Sequence, residues 1–226
     1  MNSSKPFNLI VPAAADAKGS GSLPAVFRLD ADGVMLCVRA IQGLNLDVFD
    51  RISFVVLRKH VEDFDIDTML RLQFKRLGLH KANIVVLAES TDCQPATVRR
   101  AIEQLGIDGP FFVKDADSYF QADVYAENSV AVYPLEELEI VDPRNKSYVS
   151  VADMQYVTNI IEKKVVSNLF SAGGYGFVDV ETFNRVFDRY ISLGPVYLSH
   201  LIYALLLEGE SFHPIKVSDY QDLLLN

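Results

Sequence analysis

The sequence predicts an α/β fold: a mixed, mostly parallel central sheet flanked by helices, in a single domain spanning residues 1–226. Three observations predict it. Apolar runs of strand length alternate with amphipathic helical stretches through the first half, and that alternation gives a parallel sheet with helices on its faces. The second half turns to strands rich in Val, Ile and Tyr, followed by helices. The bulk balance, 50% hydrophobic and 23% charged over 226 residues, is that of a soluble globular chain.

The first half reads β-loop-α-β-α-β-α-β. Phe7–Val11 is a short apolar strand bounded by Pro12, and Ala13–Arg28 is loop. Val34–Leu44 carries helical spacing, with Gly43 near its end. Ile52–Leu57 (ISFVVL) is the second strand. Asp65–Leu79 is an amphipathic helix, with Ile66, Met69, Leu70 and Phe74 against Asp67, Arg71 and Lys75. Ile84–Leu87 is the third strand. Pro95–Leu105 is a helix opened by proline and closed by Gly106, and Phe111–Val113 is the fourth strand.

In the second half Ser129–Tyr133, Tyr148–Ala152, Thr158–Val165, Leu169–Val178 and Ile215–Val217 read as strands. Glu181–Ile191 and Val196–Leu207 read as helices. The division places a nucleotide-binding half at 1–125 and an acceptor-binding half at 126–226.

A formal net charge of -9 argues against general affinity for nucleic acid or an anionic membrane surface, both of which need a basic face. It leaves room for a small phosphorylated ligand. Cys37 and Cys93 stand far apart and outside any metal-ligand spacing, which suggests a reducing compartment. The start MNSSKPFNLIVP lacks the pattern of a signal peptide, and no apolar stretch reaches bilayer length, so a cytoplasmic location is expected. His60, His80, His200 and His213 are scattered and form no ligand set.

In sheets of this kind the ligand sits beyond the carboxyl ends of the strands. Two features fall there. One is the loop Lys18-Gly19-Ser20-Gly21-Ser22, a Gly-rich turn after the first strand of the type that cradles phosphate. The other is Lys114-Asp115-Ala116-Asp117, whose carboxylates at i and i+2 on an extended segment would approach one hard cation; an ordinary polar turn is the competing reading. Further along, Glu162-Lys163 offers an acceptor for ligand hydroxyls and a cation for phosphate, or else a solvated edge. Gly173-Gly174-Tyr175-Gly176 interrupts a strand as a bulge or as a close approach to ligand. Gln94, at a helix start, could read a base edge, although Thr91, Asp92 and Pro95 equally suit helix capping.

Taken in order, these pieces resemble the sugar-nucleotidyltransferase family (nucleoside-diphosphate-sugar pyrophosphorylases and phosphocholine cytidylyltransferases) over nearly the whole chain. That family opens with a strand, an LAAGxGxR loop and a PKxL motif, matched here by Leu9–Ala15, Gly19–Ser22 and Leu23–Phe27. Asp32–Leu36 is similar to its "gkPml" element, and IIEKKVVSNLFSAGGYGF is the most specific part of the match. The resemblance implies a Rossmann-like, GT-A-type fold. It also implies nucleotidyl transfer from a nucleoside triphosphate to a phosphorylated sugar or small alcohol, with release of pyrophosphate, for surface-polysaccharide synthesis. It implies Mg²⁺ (or Mn²⁺) on Asp117 and Asp222, the latter in the Tyr220-Gln221-Asp222 element. It further implies Ala14, Gly19, Ser20, Gly21, Gln94 and Asp115 around the nucleotide, and Glu162, Gly174 and Tyr175 around the acceptor, with Lys163 at a phosphate.

The loop departs from the family pattern. Leu23 stands where the family has a triphosphate-binding Arg, Ala25 stands where the PKxL lysine would be, and Asp16-Ala17-Lys18 is inserted. Lys18 and Arg28 are the cations available to substitute. Two alternatives therefore stay open: a degenerate member that binds a nucleotide or nucleotide sugar without turning it over, and a glycosyltransferase that uses Asp115-Ala116-Asp117 as a DxD motif.

Overall fold

The structure, a computed structural model, describes residues 5–15, 22–138 and 145–225. Lys18, Gly19, Ser20 and Gly21 lie outside the described residues. β1 (Asn8–Pro12) pairs in parallel with β2 (Arg51–Leu57), which pairs in parallel with β3 (Ala82–Leu87). On its other side β1 pairs in parallel with β4 (Phe111–Lys114). These are the four strands expected of the first half, with the crossover helices α3 (Ile66–Leu77) and α4 (Gln94–Leu105) between them.

β4 then pairs antiparallel with β9 (Leu169–Phe177), which also pairs antiparallel with β6 (Ser129–Pro134). β10 (His213–Lys216) adds in parallel to β6. The hairpin of β7 (Ser147–Ala152) and β8 (Tyr156–Glu162) joins through Tyr148, opposite Phe170 of β9. Among the described residues the sheet therefore holds nine strands and is continuous through both halves of the chain.

Side-chain alternation along the strands sorts the core onto the two faces of the sheet. Ile10, Val55, Val85, Phe111 and Val113 face one layer, with α4, α5 (Val180–Ile191) and α6 (Leu198–Leu207). Leu9, Val11, Phe54, Val56 and Phe112 face the other, with Ile66, Leu70 and Phe74 of α3.

Four local elements differ from the sequence expectation. The helix expected over Val34–Leu44 shrinks to α1 (Leu36–Arg39). The Asp30 carboxylate accepts from the N–H groups of Asp32 and Val34, each at 2.9 Å, which holds the preceding residues in a turn. The helix expected from Pro95 starts one residue earlier, at Gln94. A short helix, α2 (Arg58–Phe64), follows β2 directly and had no sequence signal beyond its length. The strand expected over Thr158–Val165 runs from Tyr156 and stops at Glu162, because Lys163 turns into the left-handed region at φ 56°.

A second, two-stranded sheet stands at the rim. β5 (Ser118–Gln121) pairs antiparallel with β11 (Ser218–Asp222), and neither was read as a strand from sequence. Gly43 seats this small sheet: a Cβ there would lie 2.0 Å from the carbonyl oxygen of Phe120, while its own carbonyl accepts from Ala122 N–H at 3.1 Å. Gly43→Ala should therefore cost about 1–3 kcal/mol by forcing β5 away. Thermal and denaturant melts of the variant check this, and an unchanged midpoint would refute the close approach.

Candidate active site

β4 delivers Lys114 to the carboxyl edge of the sheet, and the chain then turns through Ala116 and Asp117 into β5. The sequence reading had an extended segment here. The structure has a tight turn instead, because the fully buried Lys114 ammonium ties its two ends together. Its Nζ donates to the carbonyls of Asp115 (3.0 Å) and Ser118 (2.7 Å) and to Ser118 Oγ (2.8 Å). Three donors meet three acceptors, and the ring of Phe120 lies 4.5 Å below. Burial brings the Lys114 pKa down to about 8, against the pull of Asp115 and Asp117.

Asp115 points back at the start of α4, where Gln94 Nε2 donates to its Oδ1 at 2.6 Å. Gln94, expected at a base edge, thus spends one amide N–H on a carboxylate of its own chain. Burial pushes Asp115 up to about 6, with Asp117 adding to the rise and Lys114, Gln94 and Lys146 opposing it. Gly173, at φ 88°, makes room for this carboxyl: a Cβ there would sit 2.6 Å from Asp115 Oδ2. Its carbonyl also accepts the Asp115 N–H at 2.8 Å. The Gly173-Gly174 pair lies in a bulge of β9 opposite β6. Gly174 faces the core, since its Cβ position lies within 2.9 Å of Phe112, Ala131 and Phe120 side chains.

Asp117, exposed at the turn, comes beside Asp222. Asp222 sits opposite Ser118 in the β5–β11 register, and Leu223 N–H donates to the Asp117 carbonyl at 2.8 Å. Asp222 Oδ1 accepts from Leu224 N–H at 3.2 Å, and Oδ2 lies 3.3 Å from Lys146 Nζ. Tyr220 anchors this strand end by stacking on Tyr133 and meeting Phe170 edge-on, and its hydroxyl accepts from Lys146 Nζ at 2.6 Å. Among the described residues no three His, Cys, Asp or Glu side chains gather as a metal cluster. Two carboxylates at neighbouring strand ends fit Mg²⁺ only together with phosphate oxygens, which is how that ion is commonly held.

In the second half of the chain, Glu162 ends β8. Its Oε2 accepts from Ser147 Oγ of β7 and from the buried Ser199 Oγ of α6 (2.7 Å), which fixes the carboxylate from both sides. Lys163 Nζ donates to Tyr197 OH at 2.8 Å, an interaction that holds its pKa above the ordinary lysine value. Tyr175, buried in β9, has a pKa raised well above normal by burial, then by the charges of Asp115, Glu162 and Asp117. Lys146 links the end of β8 to the carboxylates: its carbonyl accepts from Lys163 N–H at 2.9 Å, and its Nζ lies 3.3 Å from Asp222 Oδ2. Ala14 is buried just past β1, while Arg28 is exposed at the end of a short 3₁₀ turn (Ala25–Phe27) and Leu23 is half-buried against the core.

Two members of this edge were missed in the sequence. Lys146 precedes a strand with no motif to mark it. Lys114 was visible beside two aspartates, yet nothing local signals a buried lysine.

No family model matches the sequence, and neither does any curated protein. Solved structures do match in shape. The fold is the mixed α/β fold found in sugar nucleotidyltransferases. It superposes on a nucleoside-diphosphate-sugar pyrophosphorylase from Vibrio cholerae at TM-score 0.73 and 20% identity, covering 94% of this chain and 92% of that one. The inositol-1-phosphate CTP transferase from T. maritima gives TM-score 0.73 at 16% identity, covering 98% and 89%. A UDP-glucose pyrophosphorylase complexed with UDP-glucose gives 0.63 at 14%, covering 98% and 94%. At these identities the likeness is one of fold.

The Asp115 carboxyl yields a pH prediction. Its folded pKa, about 6, lies above the ordinary 3.8. Its contribution to stability is therefore full below pH ~4 and is lost as pH rises through ~6. Asp115→Asn keeps the Gln94 contact and should not show this loss. Melting temperatures of both proteins between pH 4 and 7 should converge at the acid end and separate at the neutral end, with Asn the more stable. Parallel curves would refute the assignment.

Proposed function

We propose that the protein is a nucleotidyltransferase. It joins a nucleoside monophosphate from a nucleoside triphosphate to a phosphorylated sugar or small alcohol, releases pyrophosphate, and so supplies an activated precursor for surface-polysaccharide synthesis in the cytoplasm. The observation that carries this reading is the shared edge. Asp222 pairs opposite Ser118 and Leu223 N–H bonds the Asp117 carbonyl, which brings the two carboxylates to one strand end, and Lys146, bonded through its carbonyl to Lys163 N–H, reaches Asp222 with its Nζ. The fold likeness to nucleotidyltransferases supports it.

In this reading a phosphate oxygen of the acceptor attacks the α-phosphorus in line. A new P–O bond forms, the bond from the α-phosphorus to the bridging oxygen breaks, and pyrophosphate leaves with that oxygen and its electrons. Glu162, held by Ser147 and Ser199, accepts hydrogen bonds from acceptor hydroxyls. Lys163 meets the acceptor phosphate. Asp117 and Asp222 would hold Mg²⁺, which supplies charge neutralisation to the phosphates when bound. The remaining work is positioning, for which a fixed edge is suited.

A second reading has an observation of its own. Leu23 and Ala25 occupy the family's two cation positions, and Leu23 packs against the core. A protein that binds a nucleotide without turning it over would need neither cation.

The assay is pyrophosphate release with Mg²⁺, each nucleoside triphosphate and a panel of phosphorylated acceptors. Turnover with at least one pair is expected, falling about a hundredfold or more in Asp117→Ala and Asp222→Ala. Glu162→Gln should raise the acceptor KM more than it lowers kcat. Nucleotide binding without release from any pair would establish the second reading.

A further inference from the structure

Leu23 and Ala25 replace the two loop cations of the family pattern, and among the described residues Lys146 is a cation beside Asp222 that no reading above assigns. Lys146 lies just before β7, and its side chain is 16% exposed. Its Nζ donates to Tyr220 OH at 2.6 Å and to Asp222 Oδ2 at 3.3 Å, between the rings of Phe170 (5.4 Å) and Tyr220 (5.1 Å). An ammonium has three N–H donors, and among the described residues these contacts use two. Lys114 differs, since its three acceptors are all protein atoms and it is fully buried.

The backbone fixes where Lys146 points. Ser147 pairs with Glu162 in the β7–β8 register, and the Lys146 carbonyl accepts from Lys163 N–H at 2.9 Å. The two lysines therefore leave adjacent strand ends in different directions. Lys163 goes to Tyr197 and the acceptor side, and Lys146 goes to Asp222 and the metal side. The Lys146 charge also reaches Asp115. A phosphate held across Asp117 and Asp222 would lie within reach of the third Lys146 N–H.

Building on the nucleotidyltransferase reading, we propose that Lys146 is a substrate-contacting cation. Its ammonium binds a phosphate oxygen at the Asp117/Asp222 edge and compensates, from the acceptor half, for the cations absent at Leu23 and Ala25. Tyr220 is its positioning residue, holding the ammonium by its hydroxyl.

Binding measurements test this apart from turnover. Titrate nucleoside triphosphates with Mg²⁺, inorganic pyrophosphate with Mg²⁺, and a sugar 1-phosphate into wild type, Lys146→Met, Lys146→Arg and, as a control in the last turn of α3, Lys75→Met. Lys146→Met should weaken binding on the order of ten- to a hundredfold, the worth of a charge-assisted hydrogen bond, while Lys146→Arg restores most of it and Lys75→Met changes nothing. Loss confined to triphosphate and pyrophosphate assigns the contact to the nucleotide's phosphates; loss confined to the sugar phosphate assigns it to the acceptor's. Wild-type affinity for every phosphate in Lys146→Met, with Mg²⁺ bound more tightly, would reduce Lys146 to a counter-ion of Asp222 and overturn the proposal. If Lys146→Met melts well below wild type, Lys146→Arg and Tyr220→Phe decide, the latter expected to weaken the same ligand severalfold without unfolding. Wild type that binds none of the phosphates would overturn the nucleotidyltransferase reading and this proposal with it.

Discussion

The edge of this protein depends on one buried ammonium. A lysine taken out of water is destabilising unless every N–H finds an acceptor. Lys114 meets that demand only if the chain folds back at once after β4, so that the Asp115 and Ser118 carbonyls and the Ser118 hydroxyl converge on it. Ser118 Oγ passes the constraint on by donating to the Ala172 carbonyl in β9 at 2.9 Å. One side chain thereby locks β4, the turn, β5 and β9 to each other, and it sets where Asp117 stands. The low-dielectric surroundings that make the lysine costly also raise Asp115, so the two perturbed groups share a cause.

β9 lies between the strand that carries the aspartates and the strands of the acceptor side. Its bulge gives Gly173 to the Asp115 carboxyl and Gly174 to the packing of Phe112 and Phe120. Neither glycine could carry a side chain without moving a neighbour, and Gly173 also adopts a backbone conformation that L-residues avoid. Tyr175 follows directly and is buried in the core between Val113 of β4 and Val130 of β6. The geometry between the two halves of the chain is set by sheet hydrogen bonds through β9.

The strands and crossover helices of the first half were legible because period and punctuation agree there: apolar runs, then α3 and α4, each closed by glycine in the left-handed region at Gly78 and Gly106. The elements that were missed are short and set by tertiary contact. β5 and β11 are strands through each other's hydrogen bonds, and α1 is cut short by the Asp30 side chain and the approach of Phe120 to Gly43. Asp115, Asp117, Glu162 and Lys163 stood out as charges at or just after strand ends, and Asp222 was singled out only through the family resemblance. Lys146 did not, because its placement depends on the β7–β8 register and on contacts with Tyr220 OH and Asp222, neither of which is local in sequence.

The pairing of β5 with β11 also orders events in time. Asp117 and Asp222 are joined through the Leu223 N–H to the Asp117 carbonyl, yet they come from distant parts of the chain. Synthesis runs from the N-terminus, and a growing chain packs what has already emerged. A nascent chain can therefore build the parallel sheet, the Lys114 turn and the acceptor hairpin while it still has only one of the two adjacent carboxylates. The two carboxylates come together only when residue 223 is free to pair, so a product stopped short of Asp222 would lack both that carboxylate and the strand end that seats it beside Asp117.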